Sequence, residues 1–351
     1  MRKLCLVCVV SIVILSSCGR EREKIAQSKI ESKIVFRDEV RLKTTPVKNQ
    51  GSSSLCWAYA MLATIETEHL MLGDSVNLSA DYIARCFISE QAARRLLSNN
   101  ESNTTTRGMA GMAIDLLETN GLHHYDAYHL KQTVDYGVLC RKIDCITTAP
   151  ARNNFNQRMD AVNELLDKSI GFLPRKVFFR SAIYTPYEFA RSVCRKNEYL
   201  GLTSFTHHPF GERFALELPD NYFHNTFLNI PLDSMMMIVE NSLRAGHPVC
   251  WEGDVSEPGF SFAKGIAILP TGTKCNQTTR QKAFENKSTT DDHCMSIIGL
   301  ARDTNGTKYF ICKNSWGESN PYGGFMYLSH DYVKLKTIAL YVQSNQMGFR
   351  M

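Results

Sequence analysis

A cysteine at the start of a predicted helix is the most reactive side chain that the sequence suggests. Cys56 lies in the run QGSSSLCWA at residues 50–58 and opens an apolar pattern that continues to Leu72. The positive end of a helix dipole and its unpaired N–H groups favour a thiolate, which is a nucleophile. The Cys56 N–H and the Gln50 side-chain amide could together hold an oxyanion. For this segment alone, buried packing of the Cys-Trp pair is the alternative.

A histidine and an asparagine far downstream supply the other groups that such a nucleophile needs. His293 precedes an apolar, strand-like run, and Asn314 lies in KNSWG at residues 313–317. A base must take the thiol proton and return it to the leaving amine, and a third group must fix the imidazole tautomer. The Asn314 side-chain oxygen suits that third role because it accepts a hydrogen bond and stays neutral. Trp316 could cover this bond and exclude water.

The elements that must position these groups change in character along the chain. Helical apolar spacing dominates up to about residue 245, and short β-rich runs separated by Gly, Asp and Asn follow it. Predicted helices cover residues 56–72, 78–86, 109–120, 153–170 and 233–245, with Ser79 as an N-cap and Gly73 and Gly121 as stop signals, and predicted strands cover 248–253, 294–301, 308–313 and 324–329. This order predicts an α+β fold with two lobes.

Composition excludes several other classes of protein. The 351 residues are 44% hydrophobic and 21% charged, with a formal net charge of +5. These values are typical of a globular chain, and without a long basic block nucleic acid is not a predicted partner. No apolar run of about 18 residues occurs outside the N-terminus. No HExxH occurs, and the CxxC pair of Cys5 and Cys8 lies in the N-terminal apolar run, so neither a metal nor a cofactor is predicted.

The N-terminus has the pattern of an export signal. A basic start precedes about 12 apolar residues, Leu4 to Leu15, a run that is too short to span a membrane but suits a signal peptide. The Ser-Ser-Cys that follows resembles a bacterial lipobox, which implies lipidation at Cys18. We expect a signal peptide at 1–17 and a lipid-anchored tether at 18–33, with the protein in the bacterial cell envelope, on the outer membrane or its periplasmic face. An ordinary secretory signal is the alternative.

Taken together, the separated motifs resemble those of the papain-like cysteine peptidases. Gln50, Cys56, the Asp-His pair at 292–293 and the Asn-Ser-Trp-Gly run occur in that family's order, with its Gln-to-Cys spacing. Further runs resemble the bleomycin hydrolase/bacterial aminopeptidase C branch, namely FTHHPF at 205–210, DVSEPGF at 254–260 and YFICKNSWG at 309–317. The resemblance covers about residues 34–343, which we expect to form one peptidase domain.

The resemblance implies a papain-like fold in which a helical lobe faces a β-barrel-like lobe. It implies Cys56 as nucleophile, His293 as general base and acid, Asn314 as the residue that orients the imidazole, and Gln50 as a donor to the oxyanion. It also implies substrate contacts from a second set of residues, which are Gly108, Met109, Asp292, Cys294 and Trp316. Arg107 stands where the family has a glycine, which puts its usual capture of the substrate backbone in doubt.

Two segments of the resemblance bear on how substrates are selected. The surplus between Cys56 and His293 falls at about residues 125–244 and resembles the branch's helical insertion. In that branch the C-terminus lies in the active-site cleft and restricts cleavage to the N-terminal end of the substrate. Residues 344–351 form the corresponding tail here. Adjacent His207 and His208, if on a strand, point to opposite faces, which favours a structural use over a shared metal.

The sequence therefore predicts a lipid-anchored, thiol-dependent peptidase that needs no metal or cofactor. Its partners would be a peptide substrate and a membrane, and the branch resemblance favours an aminopeptidase. An endopeptidase with an open cleft is one alternative. A catalytically silent, peptide-binding lipoprotein is another, although the complete set of Gln50, Cys56, His293 and Asn314 argues against it. Oligomeric state and disulfide pattern do not follow from the sequence.

Overall fold

A computed structural model describes residues 34–98, 102–129, 134–149 and 154–347 of the chain. The predicted signal peptide (1–17), the lipidation residue Cys18, the tether (18–33) and the last four residues of the predicted tail lie outside the described residues. Within the described ranges, no helix has the length and apolar character needed to cross a membrane.

The five predicted helices begin close to their predicted starts, and the described residues contain four further helices that were not predicted. In the first half of the chain they are α1 (Cys56–Met71), α2 (Ala80–Leu97), α3 (Ala110–Asn120), α4 (Tyr136–Thr148), α5 (Phe155–Ser169) and α6 (Pro186–Val193). The later ones are α7 (Leu232–Arg244), α8 (Gln277–Glu285) and α9 (His330–Lys336), and a 3₁₀ turn follows at Ser344–Met347. Ser79 caps α2 as predicted, since its hydroxyl accepts from the Tyr82 N–H at 3.1 Å. The α2 helix runs on beyond the predicted end at Cys86.

The strands form one large mixed sheet and a separate hairpin. The hairpin is β2 (Val177–Phe179) with β3 (Ala182–Tyr184). The sheet contains β1 (Phe36–Arg41), β4 (Tyr199–Thr203), β5 (Arg213–Ala215), β6 (Thr226–Asn229), β7 (Val249–Gly253), β8 (Phe260–Ser261), β9 (Ile266–Ala267), β10 (His293–Asp303), β11 (Lys308–Lys313), β12 (Phe325–Ser329) and β13 (Thr337–Gln343). Its strand order is β5-β6-β4-β13-β7-β10-β11-β12-β9-β8, and β1 pairs with β10.

The mixture of helices and sheet confirms the predicted α+β class, with one correction to the β lobe. The two ends of the strand path, β5 and β8, do not pair with each other, so the described strands form an open sheet and not a closed barrel. Closure would require the edge strands to continue the ladder, and β8 is only two residues long.

Helix α1 lies between the two hydrophobic cores. Its side chains from Trp57 to Glu68 are all buried, so it has no solvent-facing stripe. One core joins α1 to the other helices around Phe87 and Met112, and the second core lies within the sheet around Trp251 and Phe310. Because α1 also packs on β10, the start of the helix and the start of that strand lie side by side.

The segment predicted as a helical insertion, residues 125–244, has mixed structure. It contains α4 to α7, the β2–β3 hairpin and the strands β4, β5 and β6. Strand β4 pairs antiparallel with β13 and parallel with β6, so this part of the segment extends the main sheet.

Candidate active site

The predicted nucleophile lies in the first turn of α1. Leu55 is the N-cap of this helix and provides no side-chain acceptor, so the cap leaves the first N–H groups available to other partners. Cys56 is partly exposed between the buried side chains of Leu55 and Trp57. The indole N–H of Trp57 donates to the Thr106 carbonyl at 2.9 Å, which fixes the start of α1 against the loop before α3. The Cys56 sulfur is thus held at the positive end of a helix dipole and lines a cleft.

The His293 imidazole is held in place by Asn314. His293 begins β10 and Asn314 directly follows β11, and the antiparallel pairing of these strands brings the two residues to the same end of the sheet. His293 Nε2 and Asn314 Oδ1 are 2.7 Å apart, and both side chains are buried. With Nε2–H donating to the amide oxygen, Nδ1 is left for the Cys56 sulfur. The fold therefore brings together all three of these residues.

An aromatic side chain covers this hydrogen bond. The ring centroids of Trp316 and His293 are 4.4 Å apart, and Phe260 and Phe262 meet Trp316 edge-on at 5.9 and 5.4 Å. An apolar cover keeps water from competing for the bond between His293 and Asn314, and it strengthens electrostatic contacts beneath it. The position of Trp316 is the one that the predicted shielding role requires.

The amide of Gln50 is tied to the Asn-Ser-Trp run. The Ser315 hydroxyl donates to Gln50 Oε1 at 2.6 Å, and the Gln50 backbone N–H donates to the Ser315 carbonyl at 2.8 Å. Gln50 Nε2 donates one hydrogen to the Ser53 carbonyl at 2.7 Å. Its second amide hydrogen remains for a ligand, and Gln50 lines the same cleft as Cys56.

The surroundings of Cys56 favour its thiolate. The hydrogen bond donated by the Cys294 thiol is the largest influence that holds the pKa of Cys56 well below its usual value, and the hydrogen bond and charge of His293 add to it. Burial raises the pKa of Cys56, but by less than these interactions lower it. A thiolate beside an imidazolium is the ion pair that a cysteine nucleophile needs near neutral pH.

Two acidic side chains that the sequence did not single out, Asp220 and Asp291, line the cleft. The lining residues are Gln50, Ser53, Ser54, Cys56, Arg107, Gly108, Asp220, Asp291, Asp292, His293, Cys294 and Trp316. Arg107 is exposed and forms a two-pronged ion pair with Asp220, with nitrogen–oxygen distances of 2.6 to 3.0 Å. Burial, and then the neighbouring carboxylates, raise the pKa of Asp291 well above its usual value. The distance in sequence between Asp220 and Asp291 is why no local motif groups them.

The predicted substrate-binding residues do not all lie in the cleft. Gly108 lines it, and a Cβ there would lie 2.9 Å from the Met112 side chain, so glycine allows this close approach. The Met109 side chain instead is fully buried in the helical core. Asp292 is exposed and accepts from the Thr290 hydroxyl at 2.8 Å. Cys294 is buried and reaches the cleft from behind the nucleophile.

The expectation that His207 and His208 point to opposite faces is wrong. The two residues lie in a turn after β4 and not on a strand. Their Nε2 atoms approach the two carboxylate oxygens of Glu217 at 3.2 and 2.7 Å. Gln281 Nε2 donates to His207 Nδ1, which leaves His207 Nε2 as the protonated donor to Glu217. The three side chains bond one another and offer ligand atoms within 4.8 Å, so the strand-based argument against a shared metal does not hold.

A buried ionic cluster joins the elements that carry the site. Glu66 of α1 is fully buried and lies 2.5 Å from Lys48 Nζ. Lys313, the residue before Asn314, lies 3.8 Å from Glu66 and donates to the Thr45 hydroxyl at 2.7 Å. Thr45 in turn donates to Glu66. The cluster therefore connects the segment before Cys56, helix α1 and the end of β11.

Known peptidases have sequences similar to parts of this chain. The family model described as "Peptidase C1-like family" matches residues 176–347, a region that contains His293 and Asn314 and begins after Cys56. Ananain from Ananas comosus is 22% identical over 305 residues, which are 87% of this chain and 57% of ananain. Aminopeptidase G from Lactobacillus delbrueckii subsp. lactis is 22% identical over 149 residues, 39% of this chain and 33% of that protein. The chain thus spans less than two thirds of either relative.

Among solved structures, PepW from Lactobacillus rhamnosis matches with a TM-score of 0.69 at 15% identity. The match covers 95% of this chain and 90% of PepW, so it concerns the whole fold and not one lobe. The fold is papain-like. Together with the family match and the similarity to aminopeptidase G, it supports a papain-like cysteine peptidase.

Proposed function

We propose that the chain hydrolyses peptide bonds through a thioester on Cys56. The Cys56 thiolate attacks the scissile carbonyl carbon, and the resulting oxyanion is stabilised by the Cys56 N–H and the Gln50 amide. Protonated His293 gives its proton to the leaving amine as the carbon–nitrogen bond breaks. His293 then takes a proton from water, whose oxygen attacks the thioester and releases the acid and the thiol.

The observation that carries this proposal is the bond between His293 Nε2 and Asn314 Oδ1 at 2.7 Å beside the Cys56 sulfur. It fixes the tautomer in which Nδ1 faces the nucleophile, and the loop that carries Gln50 is bonded to the residue after Asn314. A catalytically silent binding protein would not need this arrangement of Cys56, His293, Asn314 and Gln50.

Peptide hydrolysis by the purified protein tests the proposal. We expect Cys56→Ala to abolish turnover and Asn314→Ala to lower kcat by at least about tenfold, since the imidazole loses its orienting acceptor. Cys145→Ala, which removes an exposed cysteine outside the cleft, serves as the control and should retain full activity. Turnover that survives in Cys56→Ala would contradict the proposal.

Within peptidases, we favour an aminopeptidase. The support is the resemblance to the aminopeptidase C branch, the similarity to aminopeptidase G, and the exposed carboxylate of Asp292 in a cleft where Arg107 is already paired with Asp220. Such a cleft attracts a cation, and the free N-terminus of a peptide carries an ammonium group.

The endopeptidase alternative has its own support in the position of the tail. Gln343 donates to Glu68 Oε1 at 2.9 Å, and Glu68 lies roughly three turns of α1 beyond Cys56, about 18 Å along the axis. The described part of the chain therefore leaves the sheet far from the nucleophile, as an open cleft requires.

Matched peptides with free and acetylated N-termini separate these two modes. We expect the free-amine peptide to be cleaved at least tenfold more efficiently, and Asp292→Asn to reduce that ratio because it removes an exposed carboxylate from the cleft. Asp160→Asn, an exposed substitution on α5, is the control. Efficient cleavage of the acetylated peptide by the unmodified protein would favour the endopeptidase.

We also propose that the protein is exported and anchored to the bacterial cell envelope by lipid on Cys18. The support is the pattern of residues 1–18 alone. Metabolic labelling with a fatty-acid analogue should mark the wild-type chain and not Cys18→Ser, and label retained in Cys18→Ser would contradict lipidation at this residue.

A further inference from the structure

A fully buried carboxylic acid lies behind the nucleophile. Glu252 is on β7, directly opposite Cys294 of β10, and its side chain has no exposure to solvent. Its Oε1 accepts from the Cys294 thiol at 3.4 Å, and its Oε2 lies 3.5 Å from the Tyr341 hydroxyl. The backbone N–H of Ala110, the first residue of α3, also donates to it. Among the described residues, no lysine or arginine pairs with Glu252.

The Cys294 thiol lies between this acid and the nucleophile. The Cys294 thiol donates to Glu252 Oε1 at 3.4 Å, and Cys294 lines the same cleft as Cys56, close enough to affect the pKa of the Cys56 thiol. A thiol carries a single hydrogen, so Cys294 can donate to only one of these two acceptors at a time. The state of Glu252 decides which acceptor receives it.

Burial favours the protonated form of this acid. It raises the pKa of Glu252 to about 8, while the hydrogen bond from Cys294 acts in the opposite direction. A protonated Glu252 can donate its O–H to the Cys294 sulfur, which leaves the Cys294 hydrogen for Cys56. An ionised Glu252 instead accepts from Cys294 and takes that hydrogen away from the nucleophile.

We propose that Glu252 and Cys294 are positioning residues that set the protonation of the nucleophile through a chain of hydrogen bonds from Glu252 through Cys294 to Cys56. The chain supplies the Cys56 thiolate with a second donor besides His293 as long as Glu252 is protonated. The inference rests on the proposed function of Cys56, but its test requires only the reactivity of the Cys56 thiol and not peptide turnover.

Other groups also face Glu252 and act on the same equilibrium. The titratable groups around it are Cys56, Asp220, Cys250, Asp291, Cys294 and Tyr341. Negative charge on any of them disfavours ionisation of Glu252. A pH profile of one variant alone would therefore mix several titrations, and matched pairs of variants are needed.

The first test compares Cys294→Ala with Cys294→Ser. Alkylation of Cys56 by iodoacetamide is followed against pH by mass spectrometry of the Cys56 peptide, in the presence of a reductant. Cys294→Ala removes the donor, and we expect the midpoint of Cys56 reactivity to move up by one pH unit or more, a tenfold loss of rate below the midpoint. Cys294→Ser keeps a donor and should restore the wild-type midpoint.

Cys312→Ser is the matched control, since it changes a fully buried thiol on the neighbouring strand. Its midpoint should equal that of the wild type. Equal midpoints for Cys294→Ala and the wild type would overturn the inference while leaving the reactive Cys56 intact. Absence of rapid alkylation in the wild type would instead overturn the proposed function itself.

Glu252→Gln provides a second test in nearly the same volume. Glutamine cannot ionise, so the direction of the Cys294 hydrogen bond does not change with pH. In the wild type, ionised Glu252 withdraws the donor, and a thiolate without that donor is the stronger nucleophile. We expect the ratio of alkylation rates at pH 9 and pH 7 to be at least twofold larger in the wild type than in Glu252→Gln. Equal ratios would overturn the role of Glu252.

Discussion

Two buried glutamates near the site differ in whether a cation pairs with them. Glu66 on α1 and Glu252 on β7 are both fully buried. Glu66 faces Lys48 and Lys313 and accepts the Leu78 N–H at 2.7 Å. Glu252 faces a thiol, a phenol and a backbone N–H, and the described residues provide it with no cation.

The difference teaches what a buried acid can contribute near a reactive thiol. An anion that is paired with cations holds elements together, because removing either partner leaves an uncompensated charge in the core. Glu66 links the segment before Cys56 to the end of β11 in this way. An acid without a cation gives up its charge instead, and its pKa moves toward the pH range in which the enzyme would work. Glu252 is therefore the one of the two that can respond to pH.

The largest expected effect comes from breaking the paired acid. Glu66→Gln would leave the ammonium groups of Lys48 and Lys313 buried without their anion, and we expect it to lower the free energy of unfolding by about 3–5 kcal/mol. Urea unfolding at pH 7 measures this loss. A loss below about 1 kcal/mol would contradict the view that Glu66 holds these elements together.

The unpaired acid should behave in the opposite sense. The pKa of Glu252 is about 8 in the folded protein against about 4.3 in an unfolded chain, so wild-type stability from this group falls as the pH rises from about 4 to about 8. Glu252→Gln has no ionisable group at this position, so it does not lose stability in this way as the pH rises. We expect its stability relative to the wild type to increase by about 2–4 kcal/mol between pH 5 and pH 8.

The measurement for this prediction is a pair of urea titrations at the two pH values, on the wild type and on Glu252→Gln. Asp160→Asn is the control, because Asp160 is an exposed acid on α5, far in sequence from the site. A difference between the wild type and Glu252→Gln that does not change with pH would refute the assignment of an unpaired, protonated acid.

The smallest effect is expected at the surface pair of Arg107 and Asp220. An exposed ion pair contributes about 0–1 kcal/mol, so Arg107→Gly should change the free energy of unfolding by no more than that. The substitution also opens the cleft beside Gly108. A loss of stability above about 2 kcal/mol in urea unfolding would show that the pair is structural. Burial would then not explain why Glu66, Glu252 and Asp220 differ in their effects on stability.

The residues that form the site could be predicted from the sequence because the groups that do the chemistry are held in short motifs. Cys56 begins a helix whose start and end signals are local, and Asn314 follows a strand with a clear apolar pattern. Ser79 and Gly121 likewise mark helix boundaries through local capping geometry. In these cases the physical cause acts within a few residues of the signal.

What could not be predicted depends on contacts between distant segments. The open sheet results from which edge strands pair, and Met109 is buried because of tertiary packing around α3. The argument from a strand at His207 and His208 failed because a turn after β4 brings both rings to Glu217, which is distant from β4 in the pattern of the sequence. A signal for Glu252 was present, since an acid within the apolar run VCWEG is unusual, but only the register between β7 and β10 connects it to Cys294.

Selective alkylation tests the central claim most directly. The unmodified protein is treated with iodoacetamide at pH 6, and the modification of each cysteine is followed by mass spectrometry. A thiolate held by a helix start, Cys294 and His293 predicts that Cys56 reacts at least about tenfold faster than the exposed Cys145. Reaction of Cys56 at or below the rate of Cys145 would contradict the account.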